Sequence, residues 1–244
     1  MSRPPRVGRV LLLNITLLNS EDQQSLDFDT TAEILRLSMT AALRGRFRVE
    51  SLATVAGDPW TEIDRVARSH RCATVLFGMN SLADDGVRQR LENLANRLPG
   101  NVMILRAPAG WRPRSVTKAL VPIGGKVVHN ALRARLLNGL QRRVEGRLTI
   151  QYLLVMPPDT KERERARAER LWSQLVTDET RVPSEVQVAL SDDVPGAIID
   201  ASREADLLVL GLNQSQAHRR VFGSTITRVA CEAQTALIVI GQRG

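Results

Sequence analysis

The segment GLNQSQAHRRVFGSTITRVACEAQTALIVIG, Gly211 to Gly241, sets glycine, serine and threonine where a strand hands over to a helix. An aliphatic run stops at Gly211, and Gly223-Ser224-Thr225 stands directly before a helical pattern. Glycines let a backbone approach phosphate oxygens, and a helix N-terminus offers free N–H groups and a partial positive charge. Gly211, Gly223, Ser224 and Thr225 are therefore the candidate phosphate contacts. A second turn of the same kind is Gly124-Gly125-Lys126 ahead of His129, with Lys126 supplying a cation. Ser224 also suits the N-cap of the last helix. His218-Arg219-Arg220 suits either an anionic headgroup or phosphate, or a solvated loop tip.

Other chemistry is poorly provided for. His70 and His218 are isolated, and no histidine pair has metal-ligand spacing. Cys72 and Cys231 make no disulfide framework. Cys231, near Ile226, Val229 and Ala230, is expected to be a buried small hydrophobe. Nothing pairs a base with a nucleophile, so no catalytic residue and no metal site is expected, and the chain is not expected to be an enzyme. Trp60, Trp111 and Trp172 form no stacking platform.

The elements that must position these residues alternate between strand and helix. Val7–Ile15, Phe47–Val55, the run ATVLFGM and NVMILRAP predict strands; Thr30–Gly45, Asp58–His70 and DDGVRQRLENLANRL predict helices. A Pro-, Gly- and Arg-rich stretch, Ala107–Ser115, then reads as a linker. After it the pattern restarts and runs to TALIVIG, with one more strand–helix unit than before. Val75-Leu76-Phe77-Gly78 and Leu208-Val209-Leu210-Gly211 are the same strand ending, each after an acid- and proline-capped helix. Strands alternating with helices require a parallel sheet and right-handed crossovers. The expectation is two unequal α/β domains related by duplication, residues 1–109 and 115–244.

The composition agrees. The chain has 244 residues, 43% hydrophobic but only 3% aromatic, so its core is aliphatic, as suits parallel sheets covered by helices. No apolar run reaches the ~18–20 residues of a membrane span, and no secretory signal is visible. The formal charge is +8. No cationic cluster stands free of acids: in Lys161–Arg170, Glu162–Arg165 and Glu164–Arg167 have the i,i+3 spacing of ion pairs on a solvated helix.

From about Ser115 to Gly241 the chain resembles the universal stress protein domain, and the first half does so more weakly. The resemblance implies five parallel strands and an ATP or AMP site at G-x2-G-x9-G-[ST]. Gly211 fits the first glycine, the second falls on Gln214, and Gly223-Ser224 fits the last pair one residue early. Gly124 stands where the family's first strand carries an adenine-side Asp. In the first half no Gly-Ser step precedes the helix, and Asp84 and Asp85 would repel phosphate. Paired, motif-poor domains of this kind resemble the cytoplasmic C-terminal region of cation–chloride cotransporters and related amino-acid permeases. That resemblance implies a non-enzymatic regulatory domain of a membrane transporter, cytoplasmic, with no required cofactor and ATP or AMP weakly bound if at all. Gly124, Gly125, Gly211, Gly223, Ser224 and Thr225 are the residues it implicates. The alternative is a stand-alone tandem stress protein that binds ATP or AMP through the same residues.

Expected partners are a second copy of the chain and an upstream membrane domain, with no nucleic acid and no membrane insertion by this chain. Val102–Leu105 and Thr235–Ile240 are short aliphatic strands at the natural edges of their sheets. Such edges need cover, so they are expected to join the two halves as an internal pseudo-dimer, edge to edge or face to face.

Overall fold

The computed structural model describes residues 9–17, 32–33, 36–37, 39–40, 48–124, 131–177, 182–211 and 222–241. Two compact units result, Met1–Arg71 and Cys72–Gly244.

In the first unit, β1 (Arg9–Leu17) and β2 (Arg48–Ala56) pair in parallel. The expected helix between them is described at Ala32, Glu33, Arg36, Leu37, Met39 and Thr40, all helical. Helix α1 (Pro59–Ser69) starts as its sequence dictates: the Asp58 carboxylate accepts from the Thr61 amide at 3.0 Å, and Pro59 takes the first turn. Glu62 ties α1 to β2. It accepts from the Thr54 hydroxyl at 2.9 Å and pairs bidentately with Arg65 at 2.6 and 2.8 Å. Those bonds, Arg65 foremost, hold its carboxyl down at about 2.

The second unit is one seven-stranded sheet in the order β3-β4-β9-β8-β5-β6-β7. Its strands are β3 (Thr74–Met79), β4 (Asn101–Arg106), β5 (Lys118–Ile123), β6 (Thr149–Met156), β7 (Ser184–Leu190), β8 (Leu207–Gly211) and β9 (Ala236–Gly241). Every pairing is parallel except β4 with β9, which is antiparallel from Val102↔Gly241 to Arg106↔Leu237. The two aliphatic edges thus meet and cover each other. Helices α2 (Asp85–Arg97), α3 (Ala131–Arg143), α4 (Glu162–Thr177), α5 (Val194–Ser202) and α6 (Ser224–Glu232) make the crossovers.

One core cluster joins Leu137 and Leu140 of α3 and Val176 of α4 to Val121, Ile150, Tyr152, Val209 and Ile238 of the sheet. These two helices therefore share a sheet face. Right-handed connections place α5 and α6 on the other, and Ile198, Val229 and the alternate strand residues Leu120, Leu208 and Val239 are all buried.

The repeat in the sequence and the hydrogen-bonded sheet divide the chain differently. The repeat breaks at Ala107–Ser115, whereas β3–α2–β4, part of the first repeat, shares a sheet with the second through β4–β9. The linker is anchored: Trp111 Nε1 donates to the Asp206 carbonyl at 3.2 Å, and Pro113–Ser115 forms a 3-10 turn. The Asp206 carboxylate accepts from the Thr117 amide and hydroxyl, both at 2.8 Å, and from the Lys118 amide at 3.0 Å. Burial works to raise its pKa, but these bonds and the Lys118 charge bring it below the ordinary carboxylate value.

Candidate functional site

From β5 the chain crosses toward β6, and from β8 it crosses the opposite way to β9, although β5 and β8 are neighbours. This is a topological switch point, where the carboxyl ends of open α/β sheets leave a crevice. Gly124 follows β5 and Gly211 ends β8, so both stand there. A Cβ built on Gly124, Gly211 or Gly223 would meet nothing within 4 Å.

The N-terminus of α6 has no side-chain cap among the described residues. Gly223 is its N-cap, with extended φ −66° and ψ 163°, and no acid lies in its first turn. Ser224 is exposed and Thr225 half-buried. The amides of the first turn therefore keep their hydrogen-bonding capacity and the positive end of the helix dipole. Ser224, expected as the cap, is instead the first helical residue, because glycine at 223 already takes the extended cap conformation. Gly125, Lys126, His129, Gln214 and His218–Arg220 lie outside the described residues, so the structure brings together Gly124, Gly211, Gly223, Ser224 and Thr225 by topology alone.

The matching turn of β3–α2 is closed. The Asp84 carboxylate accepts from the Val87 amide at 3.0 Å, Asp85 adds an acid to the first turn, and Ser81 Oγ accepts from the Ala83 amide at 3.1 Å. The Val87 amide of α2 is taken by the cap, and two carboxylates stand where an anion would sit.

A cleft of about 880 Å³ runs between α2 and α6, lined among others by Asp85, Arg88, Gln89, Ser224, Thr227 and Arg228. Its cations are engaged. Arg88 pairs with Asp85, and Arg228 with Asp193 at 2.7 Å and Glu232 at 3.2 Å. Asp193 caps α5 through the Gly196 amide at 3.1 Å; that bond first, then Arg228, holds its pKa below the usual range. Sequence reasoning passed over Arg228, whose i+4 offset from Ser224 is the signal that would have placed it on this cleft.

Cys231 departs from expectation. It is exposed: the buried side of α6 is Val229 and Ala230, and position 231 turns outward to Arg88 Nη1 at 3.6 Å and the Leu82 carbonyl at 3.5 Å. Among the described residues no group of three or more His, Cys, Asp or Glu is placed to hold a metal ion. No described helix is long and apolar enough to cross a membrane.

No protein-family model matches the sequence, and no curated protein is similar to it at a significant level. Solved structures are. A universal stress protein from Archaeoglobus fulgidus DSM 4304 superposes with a TM-score of 0.62 at 16% identity, over 98% of this chain and 87% of that one. A putative universal stress protein from Pseudomonas aeruginosa UCBPP-PA14 gives 0.62 at 13% identity, over 97% and 94%. The cytoplasmic domain of a prokaryotic cation chloride cotransporter gives 0.62 at 14% identity, over 96% and 84%. The fold is thus that of universal stress proteins, an α/β architecture with a mainly parallel sheet.

Proposed function

We propose that this chain is a non-enzymatic regulatory domain, the cytoplasmic part of a membrane transporter of the cation–chloride cotransporter or amino-acid permease type. The observation that carries this reading is the state of the two strand-to-helix turns. One is sealed by Asp84 and Asp85; the other keeps a helix with no side-chain cap among the described residues but has Gln214 for the second glycine and Gly124 for the adenine-side acid. Nucleotide chemistry has lost its fittings, while the pairing that unites the halves is intact. Likeness to a cotransporter's cytoplasmic domain over nearly the whole chain supports the same reading. Regulation would then pass through contacts between domains and between copies of the chain.

A stand-alone tandem stress protein is the second reading, favoured by the open α6 N-terminus and the free space at Gly124, Gly211 and Gly223. Calorimetric titration separates the two. ATP and AMP are expected to give no saturable heat below about millimolar concentration; a micromolar Kd, roughly −8 kcal/mol, would reverse the preference. Mapping the reading frame supplies the other half of the test. A membrane-spanning bundle encoded ahead of Met1 in the same frame supports the transporter assignment, and translation initiating at Met1 removes it.

A further inference from the structure

The charge of this chain is unevenly placed. Residues 131–177, which contain α3 and α4, hold ten Lys and Arg against five Asp and Glu. Residues 182–241 hold four Lys and Arg against seven Asp and Glu. On α4, Arg163, Arg167 and Arg170 fall at i, i+4 and i+7, all exposed, on the side away from half-buried Trp172 and buried Val176. On α3, Arg135 and Arg142 fall at i and i+7 and are likewise exposed, with Arg143 and Arg147 following. None of these seven has an acid partner among the described residues. On the other sheet face Arg203 pairs with Asp200, and Arg228 with Asp193 and Glu232. The expected Glu164–Arg167 pair is not formed; only Glu162–Arg165 is, at 3.8 Å. A sequence that alternates acid and base along the chain thus sorts its arginines onto one ridge when wound at 3.6 residues per turn. Beside that ridge Leu171 is 53% exposed.

We infer that the α3–α4 face docks on an anionic lipid bilayer surface. Along the helix axis Arg163 and Arg167 lie about 6 Å apart and Arg167 and Arg170 about 4.5 Å, each step within the Debye length of about 8 Å at physiological ionic strength. Arginines on a helix lying in the headgroup plane gather anionic lipids, and an exposed apolar side chain among them enters the headgroup–acyl boundary. A nucleic acid fits less well. Glu145, Glu164 and Glu169 are exposed within the same stretch and would meet its phosphates, no exposed aromatic is there to stack, and Leu171 would gain nothing. A fluid headgroup layer can instead gather anionic lipids under the arginines and leave zwitterionic ones under the acids. The inference concerns this chain's own surface and holds for either functional reading.

The test is co-sedimentation of the full chain with vesicles of phosphatidylcholine containing phosphatidylglycerol, and with phosphatidylcholine alone, at low and physiological salt. Binding is expected only to the anionic vesicles, weakening with salt. Arg163→Gln/Arg167→Gln/Arg170→Gln is expected to lower partitioning on the order of 100-fold, and Leu171→Gln to lower it several-fold while keeping the salt dependence. Absent binding, equal binding to neutral vesicles, an unaffected triple variant, or preferential capture by duplex DNA or RNA in competition each overturns the inference. Should the triple variant lose its helical circular dichroism, Arg135→Gln/Arg142→Gln on α3 takes its place, and unchanged partitioning there is equally fatal.

Discussion

The units β3–α2–β4 and β8–α6–β9 have the same connections and meet each other at β4–β9, yet they end their first strands differently. In β3–α2 the chain spends two acids closing the helix. In β8–α6 it leaves glycine at the cap, with no side-chain cap among the described residues. The turn into the last strand differs too. Gly100 passes so close under the chain that a Cβ would lie 2.6 Å from the Cys72 carbonyl oxygen. The corresponding Thr235 instead donates its hydroxyl to the Ser202 carbonyl at 2.5 Å. A third asymmetry lies at the strand ends. Arg106 closes β4 and donates to the Ala233 and Thr235 carbonyls beyond α6, while Gly241 closes β9 and can do nothing similar for α2. Two units with the same strand–helix–strand connections thus share one frame and differ at their turns.

The largest effect is expected where the frame itself is attacked. Ile238 is 5% exposed and pairs in register with Leu105 across the seam. Ile238→Asp buries an unpaired charge and should cost roughly 3–5 kcal/mol in urea unfolding; a loss below about 1 kcal/mol would mean the seam is not a packed interior. Next come the glycines. Gly100→Ala forces a Cβ against two backbone carbonyls and should cost about 1–3 kcal/mol, whereas Gly211→Ala, with open space around it, should stay within about 0.5 kcal/mol. Equal costs would erase the distinction between a glycine kept for packing and one kept for access.

Exchanging the caps sharpens the comparison further. Asp84→Ala should cost about 1 kcal/mol and Gly223→Asp should gain a few tenths. The second variant should also end any residual nucleotide heat, since its carboxylate takes the α6 amides. Retained binding with Gly223→Asp would show that the α6 N-terminus is not the contact.

Acid titration gives the smallest effect. Asp206 in the second unit and Glu62 in the first both have folded-state pKa values below their unfolded ones. Each therefore contributes stability that is complete above the unfolded pKa and is lost as pH falls through the folded one. For Glu62 that window runs from 4.5 down to about 2. Urea midpoints should fall across the acid range, and Asp206→Asn or Glu62→Gln should flatten the fall for its own unit; parallel curves for variant and wild type would remove the group from the account.

The succession of elements was legible because aliphatic runs and capped helical stretches are local signals. Asp58-Pro59 announced α1, and Gly211 announced the end of β8. The meeting of Val102–Leu105 with Thr235–Ile240 was legible as well, since two bare aliphatic edges have few other remedies. Which strands share hydrogen bonds was less so. β3 alternates exposed and half-buried residues, with Leu76 59% exposed, and nothing in its sequence says whether β2 or β4 is its partner. Of the two acid–base pairs read in Lys161–Arg170, Glu162–Arg165 forms and Glu164–Arg167 does not, because i,i+3 spacing permits a pair without requiring one. At the candidate site, Gly223 as cap and Arg228 as a cleft cation emerge only when the helix is wound and its neighbours are placed.

The β4–β9 seam also sets a schedule for synthesis. More than a hundred residues separate the paired positions Val102 and Gly241. At about 5–20 residues per second, β4 leaves the ribosome on the order of ten seconds before its partner exists. Through that interval an aliphatic edge stands open, the condition under which nascent strands pair with the wrong chain. Mispairing at β4 is therefore a hazard until the last strand is made, and a pause in translation between the two lengthens that exposure in proportion.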